Sequence, residues 1–92
     1  MKVLNIAIII TGQLRIPNYK NLLNAISNFD IYISSYDNYH KIAENFSENY
    51  LLHAENYVIS EIKNKVKSKV KNKETLYNLC QWWHLNEVLK NF

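Results

Sequence analysis

The sequence carries one cysteine, one glycine and one proline in 92 residues. A lone thiol, Cys80, excludes an internal disulfide and fits a reducing compartment, where free cysteine behaves as a small buried hydrophobe. The chain therefore reads as cytoplasmic. There is no internal repeat and no low-complexity linker, and a chain this short is one domain at most, burying only about 60 to 65% of its unfolded surface. No Asp-x-Asp pair occurs, although a divalent ion bridging phosphates usually wants clustered carboxylates. The longest apolar run, at Met1 to Ile10, is interrupted by Asn5, is followed by no small-x-small cleavage site, and falls far short of the ~20 residues of a membrane span. It reads as a buried strand, with no membrane span in the chain.

Charge excludes little. The formal net charge is +3, from 11 Lys and Arg against 8 Asp and Glu, and nearly all of the excess lies between Lys63 and Lys73. That run permits anionic partners without demanding them. It alternates with Val and Asn in helical register, so a solvated helix face is favoured over a nucleic-acid surface, for which Tyr57 would be the stacking partner.

Val3 to Ile10 is a nearly continuous β-branched run, the pattern of a strand covered on both faces. Thr11-Gly12-Gln13 stops it. Pro17 stands where a first helical turn tolerates proline, and Leu22, Leu23, Ala25 and Ile26 supply a helical stripe. Phe29 to Ser35 restores the strand signal. Strand, helix and strand over about 33 residues predict a βαβ unit at 3–35 with parallel strands and a right-handed crossover. Ile42, Ala43 and Phe46 are spaced for a short helix, and Tyr50-Leu51-Leu52 fits either a third strand or a loop.

Ile59, Ile62, Val66 and Val70 predict a surface helix at about 55–71, since they fall on one arc at ~100° per residue. A last helix at about 74–91 has an apolar surface too wide for one stripe, so it expects cover on more than one side. The predicted class is α/β: a partial Rossmann-like parallel sheet of two or three strands, flanking helices and a mainly helical C-terminal half. So small a sheet leaves unpaired edges, which calls for further sequence or a partner.

Ligands of parallel α/β sheets bind beyond the carboxyl ends of the strands, so Thr11 to Arg15 and Ser34 to Asp37 should share one rim. Gly12 would let a base or ribose approach the backbone, and Arg15 offers forked donors to a diphosphate. A turn glycine and a surface arginine explain the same residues without a ligand. Asp37 fits a ribose acceptor and an ordinary turn aspartate equally, with Ser34 and Ser35 as smaller hydroxyl partners. Asp30 begins its strand and belongs to the opposite rim, in a structural role. His40, His53 and His84 lie on three separate segments without metal-ligand spacing. Cys80, on the apolar side of the last helix, reads as inert, and Trp82 and Trp83 read as core.

Ile6 to Arg15 with its Gly-Gln-Leu-Arg turn, then Phe29 to Tyr36 opening on Phe-Asp, then Gln81-Trp82-Trp83-His84-Leu85, resembles the opening of a family of bacterial surface-polysaccharide glycosyltransferases. The order and approximate spacing agree across nearly the whole chain. The resemblance implies a GT-A-like fold holding a nucleoside-diphosphate sugar for surface polysaccharide or lipooligosaccharide synthesis. Thr11, Gly12, Gln13 and Arg15 would line the donor site, with Asp37 as an addition, and the Gln81-Trp82-Trp83 helix would lie beneath. The chain departs from the family before the acidic motif that follows in relatives. It is thus expected to be an N-terminal donor-binding part that is not catalytic alone, with no catalytic residue or acceptor assigned and a missing C-terminal half or oligomer partner. No cofactor is expected within the chain, and a divalent metal would enter only with additional sequence. The alternative is a small basic interaction module for nucleic acid or a protein partner.

Overall fold

In a computed structural model, residues 6–66 and 73–92 are described. Three strands, β1 (Ala7–Thr11), β2 (Asp30–Tyr36) and β3 (Tyr50–His53), form a parallel sheet in the order β1-β2-β3. Helix α1 (Tyr19–Ile26) joins the first two, and a 3-10 turn at Asp37–Tyr39 with helix α2 (His40–Phe46) joins the last two. Helices α3 (Glu55–Lys65) and α4 (Lys73–Asn91) follow. The fold is α/β with a mostly helical C-terminal part. The ambiguous Tyr50 segment is a strand, paired from Ile33↔Tyr50 to Tyr36↔His53.

Alternation along the strands assigns the two faces. On one, Ile31 and Ile33 pack with Ile8, Ile10 and Leu52 against Leu23 and Ile26 of α1 and Ala43 and Phe46 of α2. Two crossover helices on the same face are what consecutive crossovers of one hand produce. On the other face, Tyr36 joins Val58 and Ile62 of α3 and Cys80 and Trp83 of α4. The result is three layers with the sheet in the middle.

Helix boundaries follow local chemistry. Pro17 precedes α1 by two residues, and Asn18 caps it in the left-handed region at φ 56°, a conformation asparagine tolerates better than most residues. In α4, Cys80, Trp83, His84 and Val88 are buried, a stripe at spacings of three, four and eight that faces the sheet and α3.

Several expectations need correction. Trp82 is 64% exposed while Trp83 is buried, because neighbours on a helix point about 100° apart and only one can face the core. At α3, Ile62 is buried and Ile59 and Val66 pack partly buried against the same cluster, as expected, while Val58 joins them fully buried and the helix ends at Lys65. α1 buries no residue completely, and Leu22 and Ala25 are exposed. Val3 to Asn5 of the first strand, and 67–71 of the lysine-rich helix with Val70, lie outside the described residues. Among the described residues no helix is long and apolar enough to cross a membrane.

Candidate functional site

The turn after β1 is built by β2. Gly12 adopts φ +86°, a region from which the Cβ of other residues is largely excluded. Its N–H donates to Ser34 O at 3.0 Å, one residue beyond the β1 strand, and its carbonyl accepts from Ser35 Oγ at 2.6 Å. A Cβ built on Gly12 would meet nothing within 4 Å. Conformation, not crowding, therefore requires glycine here, and the space above it is open.

The following residues alternate. Leu14 is 1% exposed and anchors the turn in the core, while Gln13 and Arg15 are exposed. Both line a cleft of about 300 Å³ at the carboxyl rim of the sheet, together with Thr11, Gly12, Tyr36, Tyr77, Cys80 and Gln81. Four of the five residues expected at a ligand site are thus neighbours. Asp37 is not in the lining; it is exposed and opens the 3-10 turn, where its carbonyl accepts from the His40 N–H. Ser34 and Ser35 are fully buried and already bonded within the fold, so neither presents a hydroxyl to a ligand. Asp30 stands at the far end of β2, on the opposite rim.

Long-range packing adds residues that no local pattern marks. Tyr39, on the 3-10 turn, accepts from Arg15 Nε at 3.3 Å, and this bond raises the guanidinium pKa further above its ordinary value. The bond orients the side chain and takes no part of its two Nη amino groups. Glu55, at the start of α3 and just past β3, adds negative potential at Arg15, Tyr36 and Cys80. The Tyr36 hydroxyl donates to the Cys80 sulfur. Burial first, and then Cys80, push the Tyr36 pKa up, and burial pushes the Cys80 thiol up against that bond. Cys80 thus lines the cleft with burial disfavouring its thiolate form.

Beneath the rim lies a buried polar cluster. His84 is 0% exposed, with its Nδ1 2.6 Å from Ser34 Oγ, and it meets the edge of Tyr36 at 4.8 Å between centroids. His53, at the end of β3, lies 6.2 Å from His84 and 4.8 Å from Trp83. Burial first, and His53 second, lower the His84 pKa from 6.5 to about 4, so the ring is neutral. Among the described residues no group of three or more His, Cys, Asp and Glu is placed to hold a metal ion.

The cleft combines a cation, backbone at a left-handed turn, two carboxamides and two tyrosines. That is chemistry for binding a polar anionic ligand with a planar part. No protein family, no curated protein and no solved structure matches this chain.

Proposed function

We propose that the chain is the donor-nucleotide-binding part of a glycosyltransferase acting in surface polysaccharide or lipooligosaccharide synthesis, with the nucleoside-diphosphate sugar held at the β1 rim and catalysis completed by acidic residues outside this chain. One observation carries the reading: Thr11, Gly12, Gln13 and Arg15 line a common cleft at the rim where parallel α/β sheets place their ligands. Arg15 is the diphosphate contact, held by Tyr39 and equipped with the fork that suits phosphate oxygens. Gly12 leaves open space beside the turn, so a ribose or base can lie against the backbone there. A cavity near 300 Å³ is at the small end of ligand pockets; it takes part of a nucleotide sugar.

In calorimetry with a nucleoside diphosphate, Arg15→Ala should weaken binding by about tenfold or more, the scale of one charged hydrogen-bonding contact. Unchanged affinity in Arg15→Ala would remove the assignment. A second reading, an interaction module for a protein partner, has one observation behind it. Ile9, Trp82, Leu89 and Phe92 are exposed apolar residues on or beside α4, and exposed apolar surface of this kind marks association.

A further inference from the structure

The β1 turn makes only one wall of the cleft. The other comes from α4, through Tyr77, Cys80 and Gln81. Tyr77 and Gln81 are four residues apart, hence on the same face of the helix and one turn from each other. Tyr77 is 54% exposed. Among the described residues no ring packs on it, its hydroxyl makes no hydrogen bond, and the Gln81 carboxamide is equally free. A half-exposed aromatic ring at the wall of a cavity is a stacking surface, since every nucleobase has a π-face. A free carboxamide beside it presents one donor and one acceptor side by side, the complement of a base edge. Tyr77 and Arg15 line the same cleft of about 300 Å³, so a phosphate on the guanidinium and a ring on the tyrosine fall within the reach of one small ligand.

We infer that α4 is the base-recognition wall of this site: Tyr77 stacks the heterocycle of a nucleoside diphosphate and Gln81 reads its hydrogen-bonding edge, while Arg15 meets the phosphates. The inference rests on the nucleotide-binding reading above and adds to it the elements that tell a nucleotide from a bare anion. It also gives α4 a role in the site beyond shaping the core.

Two ligand types separate this inference from the reading beneath it. The 92-residue chain is titrated with inorganic pyrophosphate and with uridine, guanosine, adenosine and cytidine diphosphates. At least one nucleoside diphosphate should bind about tenfold or more tighter than pyrophosphate, the usual scale of one base–aromatic stack. Tyr77→Ala should erase that increment and leave pyrophosphate affinity alone, Tyr77→Phe should retain it, and Gln81→Ala should narrow the differences among the four bases. Because Tyr77 and Gln81 are exposed, the variants keep the fold, which circular dichroism verifies. Equal binding of pyrophosphate and all nucleoside diphosphates, or an increment untouched in Tyr77→Ala, overturns the α4 assignment and leaves anion binding at Arg15 standing. Failure of every ligand, pyrophosphate included, overturns the nucleotide reading and this inference together.

Discussion

His84 is the residue on which the fold's pH response turns. It is buried without exposure and bonded to Ser34, and its pKa falls from 6.5 to about 4. Between those values the unfolded chain binds a proton that the folded chain does not. Stability therefore falls as pH drops below 6.5 and levels off below about 4, by an amount on the order of 3 kcal/mol from this group. Urea midpoints measured from pH 7 to pH 4 should decline, with a shallower decline in His84→Gln; equal slopes in the two proteins would contradict the assignment. Nothing in the local sequence marks His84, because its environment comes from β2 and β3, about fifty and thirty residues earlier respectively. Gly12 and Arg15, in contrast, were legible, since a glycine ending an apolar run predicts a turn and the rim of a parallel sheet is fixed by strand direction. Glu55, Tyr39 and Tyr77 were not, since each reaches the cleft only through the packing of a later element.

At the scale of elements, α4 has two inward sides and one bare one. Trp83 packs edge-on against His53 and within 6.2 Å of Tyr57, whereas Trp82 is largely exposed. Replacing a buried tryptophan by alanine costs about 3 to 5 kcal/mol, and a surface change stays within about 0.5 kcal/mol. Trp83→Ala should consequently lower the urea midpoint severely or prevent folding, and Trp82→Ala should leave it nearly unchanged. Comparable losses in the two variants would mean that the helix faces the sheet differently. The sequence predicts both tryptophans in the core because α4 carries more apolar positions than one stripe holds. Periodicity places residues around a helix, but which side meets the sheet is decided by partners far along the chain. For β1 and β2 the parallel pairing from Ala7↔Asp30 to Thr11↔Ser34 follows from the helix between them, but β1 is not covered on both faces as its apolar run predicts: Ile9 is exposed on the face opposite Ile8 and Ile10.

For the molecule as a whole, the three-stranded sheet has a β1 edge and a β3 edge unpaired among the described residues, and apolar side chains at Ile6, Ile9, Trp82 and Phe92 are exposed. Such edges and patches are usually covered in a working protein. This agrees with a donor-binding part that operates with more structure around it, and it keeps protein association as the competing account. The lysines provide the third possibility, with Lys63 and Lys65 in the last turn of α3 and Lys73 opening α4. The three accounts place a ligand on three different surfaces. The most direct measurement is the amide spectrum of the isotope-labelled chain titrated with a nucleoside diphosphate at moderate salt. The account predicts saturating shifts centred on Gly12, Gln13, Arg15, Tyr77 and Gln81, with Trp82 to Phe92 and the lysines little changed. Shifts confined to Lys63, Lys65 and Lys73 that vanish with added salt, or no shifts at all, would contradict it.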